Sequence, residues 1–191
     1  MVIGTPETRR LSDPELPVHW LIGRRCWGVA AGAKTGSMFS LHLGEKVRRK
    51  RPLDNPALLD PLRTHEGEVI LFVECRWSLT YKKKRLCTSA SNNHADGEMV
   101  VGLRRLVGAR VTNLTLSIPS NDLALHLTKD LTLSISARLG RTGGSDNYSL
   151  ATPLGDYIVG PDLHVRFEPR KGALLAALRT NSGKKAPAGP K

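Results

Sequence analysis

Leu21-Ile22-Gly23-Arg24-Arg25 and Leu106-Val107-Gly108-Ala109-Arg110 match position for position. Each opens a run that closes in Leu-His-Leu, at Leu41-His42-Leu43 and at Leu125-His126-Leu127. The copies stand about 85 residues apart, with a one-residue gap before the closings. That spacing is too long for a solenoid repeat and suits a small β unit. A chain of 191 residues has room for two such units, each near the lower size limit for a core of its own. The expected fold is all-β: two approximately repeated units of about four to five antiparallel strands, packed as a sandwich or closed into a barrel.

The pattern of apolar residues fills in the strands. Trp20 to Ala31 and Met38 to Leu43 flank the turn chemistry of Gly32 to Ser37 and read as a hairpin. In the second copy Arg110 to Ile118 and Leu123 to Leu127 flank Pro119-Ser120-Asn121-Asp122, and Lys129-Asp130 turns the chain into Leu131 to Ile135. By position, Val47 to Arg51 is the counterpart of Leu131 to Ile135 and reads as an edge strand protected by like charge. Val69, Leu71, Val73, Cys75, Trp77, Leu79 and Tyr81 keep period two over thirteen residues and read as one long strand. A turn at Lys82 to Arg85 and a return at Leu86 to Ser89 follow. Tyr148 to Val159 takes the long-strand part in the second copy, interrupted by Pro153 and Gly155. Gly160-Pro161-Asp162 turns it back along Leu163, Val165 and Phe167.

The resulting division is an irregular arm over 1–17, a first β unit over 18–88, a polar linker over 89–101, a second β unit over 102–169, and a short helix with a disordered basic tail over 170–191. Pro52 to His65 reads as a long surface loop with room for one helical turn. Aromatics are only 5% of the chain against 40% hydrophobic residues, so aliphatic side chains must fill the core.

Charge bears on function. The formal net charge is +12. From Arg170 onward there are six Lys or Arg and no Asp or Glu, so the tail carries about half the excess. Such a balance points to an anionic macromolecule as partner, either nucleic acid or an acidic protein surface. Met1 to Leu16 has no apolar h-region, and no apolar run approaches the ~20 residues of a membrane helix. A cytoplasmic location without membrane insertion is the expectation. Cys26, Cys75 and Cys87 are widely spaced, which suits a reducing compartment; Cys26 and Cys75 fall in strand patterns and read as buried thiols.

Catalytic motifs are not visible. Gly32-Ala33-Lys34-Thr35-Gly36-Ser37 fails as a phosphate loop because Lys-Thr precedes the second Gly and two strands flank it. The six histidines show neither HxH nor HxxxH spacing, so no metal is expected, and no cofactor either. His42 and His126 occupy matched positions and read as surface or edge histidines, with a pseudo-symmetric ligand pair as the sharper alternative. Asp122, Asp146, Asp156 and Asp162 sit beside Gly, Pro or Asn, where turn capping explains them. No residue is assigned a catalytic role.

The basic clusters remain as candidates: Lys46, Arg48, Arg49, Lys50 and Arg51, and the consecutive Lys82, Lys83, Lys84 and Arg85. Both belong to the first copy. The segments taken as their counterparts, Leu131 to Ile135 and Gly160 to Asp162, lack them, so duplication does not account for them. On one face they would neutralise several phosphates, with backbone contact favoured because only Trp77 and Tyr81 lie nearby for stacking. The plainer alternative is a solvated edge and turn.

Residues 32–44 together with Pro-Leu-Asp-Asn-Pro at 52–56 and Cys-Arg-Trp-Ser-Leu at 75–79 resemble small uncharacterised bacterial β-rich proteins, some grouped with immunity proteins of toxin systems. The resemblance covers most of residues 18–168 and implies a fold; it carries no active site. It implies an immunity or accessory protein that binds a protein partner, although the basic charge departs from the acidic bias of nuclease-immunity proteins. Three functions follow in order: a non-enzymatic binding module for an anionic macromolecule, an immunity or accessory protein, and a small hydrolase with a deep pocket lined by His and Asp.

Overall fold

The computed structural model describes residues 16–56, 58–140 and 144–170. Eleven strands form two antiparallel sheets. The six-stranded sheet contains β1 (Cys26–Ala31), β2 (Phe39–Arg48), β3 (His65–Val73), β9 (Tyr148–Ala151), β10 (Gly155–Val159) and β11 (Val165–Pro169), in the order β1-β2-β3-β9-β10-β11. The five-stranded sheet contains β4 (Arg76–Tyr81), β5 (Lys84–Thr88), β6 (Val111–Ser117), β7 (Asp122–Leu127) and β8 (Leu131–Ser136), in the order β5-β4-β8-β7-β6. The sheets are not closed into a barrel. One buried cluster draws on both, including Leu41, Leu43, Leu71 and Val73 from one side and Leu79, Leu125, Leu133 and Ile135 from the other. The arrangement is a sandwich.

The duplication is visible in the register. Cys26 pairs with Leu43, a bulge follows, and Gly28 pairs with His42. Val111 pairs with Leu127, a bulge follows, and Asn113 pairs with His126. Gly23 and Gly108 precede these strands at φ +78 and +82, a conformation that only glycine takes without steric cost. An isolated antiparallel bridge joins Arg25 to Arg110, the matched arginines themselves. Around it the hydrogen bonds are reciprocal. Gly23 N donates to Val111 O at 2.8 Å as Gly108 N donates to Cys26 O at 2.7 Å; Cys26 N donates to Ala109 O at 2.8 Å as Val111 N donates to Arg24 O at 3.0 Å. A pseudo-two-fold axis therefore passes by this bridge.

The units exchange hairpins. The meander β1-β2-β3 builds half of one sheet, and its continuation β4-β5 crosses to the other, where β4 pairs with β8. The meander β6-β7-β8 does the converse, with β9 pairing β3. Trp77 and Tyr148 are equivalent, set opposite Ile135 and Val73. Trp77 Nε1–H donates to Ser37 O at 2.8 Å, and Tyr148 Oη–H donates to Asn121 O at 2.7 Å. Each aromatic thus holds the tip of its own unit's first hairpin.

Several expected boundaries differ. The thirteen-residue alternation is two strands: Glu74 and Cys75 turn the corner between sheets, both N–H groups donating to Asn147 O at 2.9 Å. The counterpart of Leu131 to Ile135 is Val69 to Val73 of β3, not Val47 to Arg51; Val47 and Arg48 extend β2, and residues 49–51 leave the sheet. The counterpart of the Lys82 turn is the β9–β10 turn, not Gly160 to Asp162. Trp20 and Leu21 lie in a 3-10 turn ahead of β1, and helix α2 (Glu98–Arg104) begins inside the stretch read as linker. Helix α1 (Asp60–Thr64) is the one turn for which the 52–65 loop had room. The helix and tail expected beyond residue 170, and the arm before residue 16, lie outside the described residues.

Candidate anion-binding surfaces

Lys46, Arg48, Arg49, Lys50 and Arg51 sit where β2 and β3 outrun their counterparts. The pair β7-β8 stops at Leu127 opposite Leu131 and closes through Lys129-Asp130. The pair β2-β3 bulges after Leu43 and continues with Lys46 opposite Gly67, Val47 opposite Glu66 and Arg48 opposite His65. The insertion 49–64 then folds back. Leu62 of α1, buried, seats on Gly28, where a Cβ would stand 2.7 Å from Leu62 Cδ2. Asn113, the matched residue, is exposed and uncovered.

This cover changes His42. The outward side of β2 was expected to leave it at the surface, as it leaves half-buried His126. Instead His42 is 4% exposed, its ring 5.4 Å from that of Trp27. Gly67 N–H donates to His42 Nδ1 at 3.1 Å, which places the ring proton on Nε2, 3.3 Å from Ser40 Oγ. Burial, aided by the Arg49 charge, lowers its pKa to about 4. His42 is a neutral structural group, and the matched histidines are not brought together as a ligand pair. The surface reading fails for His42 because the insertion, present in one copy only, covers it.

Arg49 is structural as well. Its Nη1 donates to Glu66 Oε2 at 2.7 Å, and its Nε donates to Leu62 O and His65 O at 3.4 and 3.2 Å. Lys46 Nζ lies 5.1 Å from the Trp27 ring centroid, a cation–π contact. Arg48, Lys50 and Arg51 are exposed, with no carboxylate partner among the described residues. Arg48, Arg49, Lys50, Pro52, Thr64 and His65 line a half-open groove of about 330 Å³. Thr64 and His65 carried no signal of their own in the sequence; their only mark was membership of the insertion.

The second cluster is a hairpin tip. Tyr81 pairs with Lys84, so Lys82 and Lys83 are the two central turn residues, at φ +47 and +65. Lys82 N donates to Asp130 O at 3.0 Å, which sets this tip beside the Lys129-Asp130 tip of β7-β8. Lys82, Lys83, Lys84 and Arg85 are all exposed, and Lys82 Nζ lies 5.4 Å from the Tyr81 ring centroid. The two clusters thus belong to different sheets, one on the extended β2-β3 ribbon and one on the β4-β5 tip.

A further cleft of about 340 Å³ opens at the sheet-switching corner, lined in part by Ser37, Glu74, Cys75, Arg76, Arg138 and Asp146. Burial and the Asp146 charge raise the Glu74 pKa. Asp146 is paired with Arg166 at 2.9 Å. Burial pushes the Cys26, Cys75 and Cys87 thiols up to about 12, 11 and 11, so none offers a thiolate near neutrality. Cys75 is half-buried at the corner rather than inside a strand. The cleft holding carboxylates has no histidine in its lining, and the groove holding His65 has no carboxylate in its own. Among the described residues no three His, Cys, Asp or Glu side chains gather as metal ligands, and no helix is long and apolar enough to cross a membrane. The chain matches no protein-family model, no curated protein and no solved structure.

Proposed function

We propose that the protein is a non-enzymatic binding module for an anionic macromolecule, with a nucleic-acid backbone as the ligand class. One observation carries this reading: of the nine cations in the two clusters, only Arg49 forms an ion pair among the described residues, and the other eight are exposed. They are also confined to the unit that departs from the repeat. Cations spent on the fold would resemble Arg24, paired with Glu68 at 2.7 Å. The test is fluorescence anisotropy with labelled duplex DNA and RNA over a salt series. Log affinity should fall linearly with log salt, by roughly 0.9 per phosphate neutralised on duplex DNA. Replacing Lys82 to Arg85 by alanine should reduce that slope by about three to four. Binding insensitive to salt, or unchanged in the variant, would overturn the proposal.

A protein partner, as for an immunity or accessory protein, is the second reading. Ile22 and Val107, matched across the pseudo-axis, are 47% and 41% exposed, an apolar pair that nucleic acid does not need. Salt-resistant capture of one protein species, lost on Ile22→Asp, would favour it.

A further inference from the structure

We infer that the groove between the end of β2 and α1 is a discrete site for a phosphoryl group. The inference rests on the reading that the ribbon cations face a partner, and adds to it a ligand of defined size. Arg49 N donates to Thr64 O and Leu53 N donates to Arg63 O, both at 2.9 Å. These two bonds clamp the loop 50–52 so that it stands out from the insertion. With Arg49 tied to Glu66 and to two carbonyls, the groove wall is fixed in place. Arg48 and Lys50 flank that wall as exposed cations without carboxylate partners among the described residues. The N–H groups of Lys50 and Arg51 have no acceptor among the described residues, so two further donors lie on the same short loop.

The opposite wall is Thr64 and His65. Thr64 Oγ1–H donates to Asp60 O at 2.9 Å, and His65 Nδ1 lies 2.9 Å from Thr64 Oγ1. With the hydroxyl proton directed to the carbonyl, the imidazole donates its Nδ1–H to Thr64 Oγ1. No acidic side chain lines the groove. Its volume of about 330 Å³ is at the small end of ligand cavities. Two exposed cations, a hydroxyl and an imidazole around a small recess suit a terminal phosphate better than a continuous duplex backbone. The second unit has only the three-residue turn Thr128-Lys129-Asp130 at this place, so the site is a property of the insertion.

The probe is inorganic phosphate, titrated calorimetrically into the full-length protein at fixed ionic strength. Saturable binding is expected, weakened about tenfold or more in Arg48→Ala/Lys50→Ala and unchanged in Arg104→Ala/Arg105→Ala. The second variant removes the same charge from exposed positions at the C-terminal end of α2, its last residue and the one after it. Matched circular dichroism melts check that both variants fold. Competition by a 5′-phosphorylated oligonucleotide, but not by its 5′-hydroxyl twin, would assign the phosphoryl group to nucleic-acid ends. Competition by phenyl phosphate alone would assign it to small monoesters and would count against the macromolecular reading while the site stands. Absence of saturable phosphate binding, or equal loss in both variants, overturns the inference; oligonucleotide affinity indifferent to the 5′-phosphate would then leave the macromolecular reading intact.

Discussion

His42 faces away from the sandwich core and is nevertheless sealed, because Leu62 of the insertion rests on Gly28 beside it. Its neutral ring accepts from Gly67 N–H, and Arg49 adds a repelling charge. Its folded-state pKa of about 4 lies below the ordinary 6.5. Above pH 6.5 both folded and unfolded forms are neutral and titration contributes nothing. Between 6.5 and 4 the unfolded chain binds a proton that the native chain refuses, so stability falls as pH falls through that window. The loss at pH 4 should be on the order of 3 kcal/mol. Glu74, whose raised pKa acts in the opposite sense, makes a difference measurement necessary. Urea unfolding of the wild type and of His42→Asn at pH 7, 5 and 4 supplies it, since asparagine keeps an acceptor for Gly67. The two stabilities should converge as pH drops; parallel curves would mean that His42 is not buried neutral. The sequence marks His42 and His126 as a pair through Leu-His-Leu, but alternation reports only which side of a strand a residue takes. Whether that side is covered depends on a distant segment, and no local pattern in Pro52 to His65 announces that it lands on Gly28.

At the scale of the element, parity explains both what alternation revealed and what it hid. Val69, Leu71 and Val73 face the core from one sheet, and Trp77 and Leu79 face it from the other. The corner at Glu74-Cys75 uses two residues, an even number, so the odd positions stay inward across it and the break leaves no trace in the period. The basic run after Leu43 misled for a different reason. A charged strand and a ribbon running out of a sheet share a composition, and only the pairing partner separates them. The Lys82-Lys83 turn is equally silent, since a two-residue hairpin with both φ values positive favours Asn-Gly and gives no reason for lysine. Two lysines held left-handed cost about 1 kcal/mol or more in total relative to that pair. Lys82→Asn/Lys83→Gly should therefore raise stability by about 1 kcal/mol in urea unfolding, while lowering nucleic-acid affinity. A neutral or destabilising effect would show that the tip is not strained and would remove this argument for selection of its charge.

At the scale of the whole molecule, the exchange of hairpins decides how the chain coheres. Were the two units independent, each meander would carry its own hairpin in its own sheet. Instead β4-β5 completes the sheet of β6-β7-β8, and β9-β10-β11 completes that of β1-β2-β3. At the centre of each sheet the units meet, β3 against β9 and β4 against β8, so β3 has β2 of its own unit on one side and β9 of the other unit on the opposite side. The repeated openings meet at the Arg25–Arg110 bridge, where the reciprocal bonds tie the units a second time. The matched openings and closings were legible in the sequence because they recur within it. The exchange was not, because a hairpin that pairs with its own meander and one that crosses have the same alternation. Cutting between Ala95 and Asp96, both exposed, separates the units without removing a core residue. The cut removes the β3–β9 and β4–β8 pairings, so each fragment, 1–95 or 96–191, keeps only half of each sheet and exposes the inner face of both halves. Alone, neither should form the native sandwich as a monomer. Mixed, they should recover the native circular dichroism and a cooperative unfolding transition in a 1:1 complex. Two fragments that fold separately as monomers, with no change on mixing, would mean that the units are autonomous and that the exchanged hairpins are dispensable.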